Sequence, residues 1–239
     1  MRVLRWDGYP NCRDLGGLPT SASLTGLTAL RRVARGPRRE RLTARGWDDA
    51  RSWGIRAIVD LRSEQEAGPR DGDPDLPESI TAGIESLQRP TEDQSDAEFR
   101  RRCLPILDSP EYWAHNWELQ ALLVRAALES IASAGPGVLV HCSAGRDRTG
   151  MISALLLGNA GVEPDAVVDD YVESVVVMSE DTSLRAHGSG PRRSRSELED
   201  WLVGKTDIVR ATAEDAPSLL AALGVDDDAR SRLRRLLLP

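Results

Sequence analysis

Apolar positions along the chain fall into short continuous runs alternating with longer stretches of helical spacing. Val138-Leu139-Val140, bounded by Gly135-Pro136-Gly137, reads as a buried strand, and Arg56-Ala57-Ile58-Val59-Asp60-Leu61 as a second. Thr28 to Val33 and Ser79 to Leu87 read as further strands. Trp113, Trp117, Ala121, Val124, Leu128 and Ile131 recur every three or four residues, which predicts a helix from about Tyr112 to Ala134 with the Trp pair in the core. Met151-Ile152-Ser153-Ala154-Leu155-Leu156-Leu157 reads as the first turns of a buried helix. Pro164 stands at the first position of another helix, whose stripe is Val167, Val168, Tyr171, Val172, Val175 and Val176.

Punctuation fits this pattern. Thr43 caps a helix that Gly54 stops after Trp53. Ser194 and Glu197 form a capping box that opens a helix through Trp201 and Leu202. A last helical pair is expected from about Ala216 to Leu223 and Asp226 to Leu238, with Asp at its start and Arg towards its end as the helix dipole favours. The rest reads as irregular: the opening segment to Thr28 with a turn over 11–17, a Gly/Pro/Asp-rich loop over 68–78, a mobile polar stretch over 88–110 and an exposed loop over 181–193. Together these predict one α/β domain over 1–239: a central, mostly parallel sheet flanked by helices, with additional C-terminal helices. The helical part over 181–239 lies beyond the core motifs, a place suited to a lid.

Composition narrows the class. At 239 residues, 40 % hydrophobic and a net charge of −7, the chain resembles an ordinary globular protein with a core of useful size. Three cysteines, one of them in a loop of special character, suggest a reducing compartment and a cytoplasmic location. The first residues lack the apolar core of a signal peptide, and no apolar run approaches the ~20 residues of a membrane span. The acidic balance disfavours nucleic acid as a partner. The arginine-dense run from Arg31 to Arg41 is expected to be solvated surface, with steering of anionic substrates as the sharper alternative.

The candidate chemistry lies between the central strand and its helix, in His141-Cys142-Ser143-Ala144-Gly145-Arg146-Asp147-Arg148-Thr149-Gly150. A strand–loop–helix unit aims backbone N–H groups and a helix N-terminus at one spot, which suits an anion. A thiol attacks as its thiolate, the form favoured beside Arg and at a helix N-terminus. Arg148 supplies a planar fork able to take two phosphate oxygens. Thr149 can give a hydroxyl hydrogen bond. Phosphate would lie on Ser143, Ala144, Gly145, Arg146, Asp147 and Arg148. Spacing alone is weak, because 31 residues are basic and only Lys205 among them is lysine. About one Cys in eight would meet an Arg six positions later by composition. Cys12 and Cys103 meet Leu18 and Ser109 there. The glycine, the charges and the flanking strand and helix carry the weight.

These residues resemble the signature loop of the bacterial tyrosine phosphatase family 3 group, typically His-Cys-x-x-Gly-Lys-Asp-Arg-Thr-Gly. Asn11-Cys12-Arg13-Asp14-Leu15-Gly16-Gly17 resembles that group's Asn-aromatic-Arg-Asp-Leu-Gly-Gly, with Cys12 replacing the aromatic. Gly54 to Glu66, with Asp60-Leu61-Arg62-Ser63 inside it, resembles its third block, and Arg146 replaces a lysine with the charge kept. The resemblance implies a cysteine-phosphatase fold and hydrolysis of phosphotyrosine, with phosphoserine, phosphothreonine or phosphoinositides as further substrates and no cofactor. It also places Arg13 and Asp14 beside the site.

No Trp-Pro-Asp tripeptide is present to supply a distant general acid. Asp147, inside the loop, is the expected proton donor, with Asp108 as the alternative. Asp60 and Arg62 end a strand where ligands sit in α/β sheets, so Asp60 is a candidate for positioning Arg148 or moving a proton, against a plain salt-bridge role that is favoured. His141 is expected to brace the loop from behind. His115 and His187 have no metal-ligand spacing. A rhodanese-like sulfurtransferase and a catalytically silent phosphate-binding module remain as alternatives.

Overall fold

The computed structural model describes residues 2–180 and 194–239. Five strands form one sheet in the order β1 (Arg13–Asp14), β2 (Val33–Gly36), β5 (Val138–His141), β3 (Ala57–Asp60), β4 (Glu85–Gln88). Only the β1–β2 pair is antiparallel. The architecture is the expected α/β one. β5 is central, and its register sets His141 opposite both Gly36 of β2 and Asp60 of β3. The chain therefore leaves the sheet at His141 between two other strand ends, at the edge where α/β sheets place their ligands.

Side chains alternate across the strands and feed two cores. Val138 and Val140 join Val33, Ala57 and Val59 on one face, under α3 (Trp113–Ala134), α4 (Asp147–Asn159) and α5 (Pro164–Glu180). Leu139, Ala34 and Ile58 join Trp6, Tyr9, Cys12, Trp47 and Trp53 on the other, under α1 (Ala44–Trp53). The expected caps are present: Thr43 accepts from the Gly46 N–H, Gly54 ends α1 at φ +107°, and Ser194 with Glu197 closes the box at the start of α6 (Arg195–Leu202). α4 is buried almost all round, from Thr149 to Asn159. It is covered by α7 (Lys205–Glu214), α8 (Ala216–Ala222) and α9 (Asp227–Leu237), whose Val209, Ala213, Ala216, Leu220 and Leu233 belong to the main core. α7 to α9 are thus core elements, and of the C-terminal helices α6 is the one whose Trp201 reaches the loop region. The expected loop over 181–193 lies outside the described residues.

Several expectations need correction. The strand expected from Thr28 begins at Val33 and runs to Gly36, into the arginine run that was expected to be solvated. Arg35 there is 1 % exposed, because Asp170 of α5 neutralises it at 2.5 Å. The turn expected over 11–17 contains β1. The strand expected from Ser79 is a short 3₁₀ turn, and pairing starts only at Glu85. The stretch 88–110 holds α2 (Ala97–Cys103), capped by Asp96, with Phe99 and Cys103 fully buried; two apolar anchors four residues apart suffice to fix it. α7, which follows Gly204 at φ +73°, has no counterpart among the expected elements.

The buried charges of this core centre on Asp170. It accepts from Arg13 Nε at 3.1 Å and Arg35 Nη1 at 2.5 Å, and pairs with Arg2. Burial alone would push its carboxyl up, but Arg13, Arg35 and Arg2 outweigh this and hold it well below the usual carboxylate range. Asp170→Asn is expected to cost about 3–5 kcal/mol at neutral pH, since two buried guanidinium groups lose their counter-charge. A depressed folded pKa contributes stability that is complete above the unfolded value near ~3.9 and declines below it. Denaturant titrations should therefore show the parent–variant gap widest at pH 7 and narrowing below about pH 4.

Candidate active site

The loop from Cys142 to Arg146 is tied down by its carbonyls. The Arg38 backbone N–H donates to Ser143 O at 3.0 Å. Asn11 Nδ2 donates to Ala144 O at 3.0 Å and to Gly145 O at 3.3 Å, and Arg35 Nη2 donates to Gly145 O at 2.6 Å. In a planar trans peptide the C=O and the next N–H point in opposite directions. Three carbonyls held by the scaffold therefore turn the N–H groups of Ala144, Gly145 and Arg146 the other way. Among the described residues no protein acceptor takes these three N–H groups. The first-turn N–H groups of α4 come next along the chain, giving a ring of donors beside Cys142.

Glycine is required in this loop. Gly145 sits at φ +74°, and a Cβ there would lie 2.6 Å from the Gly36 carbonyl. Cys142 is a free thiol, 3 % exposed, at the floor of the loop, while Ser143, Ala144, Asp147 and Arg148 form its half-buried rim.

Arg148 is oriented by carboxylates. Its Nη1 and Nη2 donate to Glu66 Oε2 and Oε1 at 2.6 and 2.8 Å, and its Nε lies 3.8 Å from Glu92. Burial opposes its charge, but Glu92, Glu66 and Cys142 raise its pKa well above the ordinary value. Two of the five guanidinium N–H groups are spent on Glu66, which leaves three for an oxyanion. Burial also raises the Glu66 carboxyl, but the Arg148 hydrogen bond prevails and holds it below its usual range. The more deeply buried Glu92 is pushed up. Glu66 therefore carries the ion pair, and Ser63 holds it in place from its N–H at 3.2 Å.

The tyrosine phosphatase family profile matches residues 4–239. The chain belongs to the tyrosine phosphatase family. It is 31 % identical over 200 residues to the triple specificity protein phosphatase PtpB of Mycobacterium tuberculosis, across 73 % of this chain and 70 % of that one. It is 32 % identical over 110 residues to a tyrosine-protein phosphatase of Nostoc commune, across 41 % of this chain and 37 % of that one. A crystal structure of P. aeruginosa TpbA aligns over 76 % of this chain and 85 % of its own, at 15 % identity and a TM-score of 0.35, which is a distant likeness.

The other expected site residues of this phosphatase sort by distance from the loop. Asp60 binds Arg62 through Nε at 2.9 Å and Nη2 at 2.6 Å, so it takes the salt-bridge role and Arg148 is positioned by Glu66 instead. Arg62 also reaches Glu40 at 2.8 Å, making a buried brace behind the sheet end. His141 is fully buried, with Nδ1 3.2 Å from the Cys142 carbonyl, a contact that assigns the proton to Nδ1. Burial pushes the imidazole below its ordinary pKa, so it braces the loop as a neutral group. Arg13 reaches the loop through Asn11, whose Oδ1 accepts from its Nη1 at 2.6 Å. Asp14 instead fixes the Gly16 and Arg31 N–H groups and the Trp53 indole, all at 2.8 to 3.0 Å. The Thr149 hydroxyl is buried without a hydrogen-bond partner among the described residues. Arg146 keeps its backbone N–H in the cradle, but its side chain turns away to Asp147 and to the Asp108 carbonyl at 2.8 and 2.7 Å.

Asn11, Arg35, Glu66, Glu92 and Asp170 are the residues that sequence reasoning did not assign. Glu66→Gln should free Arg148 to rotate away from the fixed fork. A misplacement near 1 Å can cost about 10²-fold, so kcat/KM for p-nitrophenyl phosphate should fall by roughly that factor with little change in thermal midpoint. An unchanged kcat/KM would show that Glu66 does not orient Arg148.

Proposed function

We propose that this protein is a metal-independent phosphatase that hydrolyses phosphotyrosine monoesters through a phosphocysteine intermediate. The observation that carries the reading is the tethering of the Ser143, Ala144 and Gly145 carbonyls, which faces free N–H donors inward around Cys142. The Cys142 thiolate attacks phosphorus, and the Sγ–P bond forms as the bond to the leaving oxygen breaks. Three equatorial oxygens gain negative charge at that moment, and the loop N–H groups with Arg148 meet it in place. Asp147 passes its proton to the departing oxygen. The resulting carboxylate then takes a proton from water as that water attacks the phosphocysteine, which releases phosphate and restores the thiolate. Asp147 is suited to both steps because it stands at the first turn of α4, half-buried on the loop rim.

Substrate breadth depends on the same rim. The relative PtpB is named for triple specificity. Phosphoserine, phosphothreonine and phosphoinositides are accordingly the further substrates to test on this chain, and phosphotyrosine is the first. The expected guanidinium beside the cradle does not come from Arg146, whose side chain is committed elsewhere. Arg70 stands there instead, with Nη2 3.4 Å from Ser143 Oγ.

A substrate panel without added metal tests the scheme. Cys142→Ser should abolish turnover of every phosphate ester. Asp147→Asn should lower kcat by about 10²–10⁴ on phenyl phosphate and far less on p-nitrophenyl phosphate, whose leaving group departs without a proton. Turnover by Cys142→Ser would refute the covalent mechanism. Full activity of Asp147→Asn on phenyl phosphate would remove only the acid assignment. Thiosulfate turnover would instead favour the sulfurtransferase reading.

A further inference from the structure

We propose that Trp201 of α6 is a positioning residue for Asp147, acting through Arg146; this rests on Asp147 being the proton donor. Arg146 is 8 % exposed and has its guanidinium fixed on three sides. Nε donates to Asp147 Oδ1 at 2.8 Å, Nη2 donates to the Asp108 carbonyl at 2.7 Å, and the guanidinium carbon lies 5.5 Å from the centre of the Trp201 ring. The same ring has Lys205 Nζ at 5.1 Å, and Lys205 is tied at 3.4 Å to Glu111, just before α3. The indole therefore lies against two cations, whose anchors Asp108 and Glu111 belong to the same short segment before α3.

The chemical consequence concerns which carboxyl oxygen works. A carboxyl group delivers its proton through one oxygen. With Oδ1 taken by Arg146 Nε, Oδ2 is left to carry the proton to the leaving oxygen. The orientation of Asp147 is then only as well defined as that of Arg146. A planar guanidinium can donate along its edge to Asp147 and Asp108 while its face lies on an aromatic ring. A lysine ammonium, a compact point charge, cannot make those contacts together. Arg146 and Trp201 therefore work as a pair, and α6 contributes to the reaction without touching substrate.

The experiment compares leaving groups in the full-length protein. Trp201→Ala should lower kcat on phenyl phosphate about tenfold, while kcat on p-nitrophenyl phosphate stays within about twofold and KM for both is unchanged. Trp201→Phe, which keeps a ring face, should recover most of the loss. In an Asp147→Asn background, Trp201→Ala should cause no further loss on phenyl phosphate, because the two act through one group. Arg146→Lys, which retains the charge and loses the face, should lower kcat on phenyl phosphate several-fold more than on p-nitrophenyl phosphate and carries the test if Trp201→Ala does not fold. An equal fall on both substrates, no change on either, or additive losses in the double variant would overturn the proposal. If Asp147→Asn is leaving-group selective and Trp201→Ala is not, the acid assignment survives and this proposal fails. If Asp147→Asn is itself not selective, the acid assignment falls and takes this proposal with it.

Discussion

The structure depends on how three backbone carbonyls of the Cys142 loop are held. A peptide cannot present its N–H to an anion unless something else accommodates its C=O. Here Asn11, Arg35 and the Arg38 N–H do so at 2.6 to 3.3 Å. That constraint explains an otherwise costly feature of the core, the burial of Arg13 and Arg35. Arg35 must be inside the fold to reach Gly145, and a buried guanidinium needs a counter-charge. Asp170 provides it from α5, with Ser174 accepting from Arg13 and Arg35 at 2.6 and 3.0 Å. The second helix after the loop thus secures the loop's shape through charge as well as packing.

A second set of constraints acts on side chains around the loop. Glu66 aligns the Arg148 fork, Arg62 locks Asp60 at the end of β3, and His141 sits neutral behind Cys142. Each is a buried or half-buried polar group: Arg148 meets Glu66 from 82 positions away, while Arg62 and His141 hold near neighbours in the chain. Such networks are rigid when their members are satisfied, and rigidity is what a preorganised oxyanion site requires. Gly145 completes it, since only a residue without Cβ fits against Gly36 at that backbone angle.

Much of this was legible in the sequence, and the exceptions have a common cause. The helices capped by Thr43 and Ser194, the strands over Ala57–Asp60 and Val138–His141, and the long helix before Gly135 follow from apolar period and capping chemistry, which are local. The Cys142–Arg148 loop was legible because its residues are contiguous. Arg35 reads as solvated because charge runs normally are, and nothing near it in sequence announces Asp170, 135 positions away. Glu66 is visible within a motif, but its role depends on Arg148, 82 positions on. α2 is hidden because only Phe99 and Cys103 of its seven residues are buried. Arg146 shows the converse error: its charge is readable from the loop, and its direction, set by Asp108 and Trp201, is not.

The central claim is that Cys142 becomes covalently phosphorylated during turnover. Mass spectrometry of the enzyme acid-quenched while turning over p-nitrophenyl phosphate tests it most directly. The account predicts a single phosphate adduct on the peptide that carries Cys142, present during turnover and gone once substrate is exhausted. Turnover with that peptide unmodified at every quench time, or an adduct on a different residue, would contradict it.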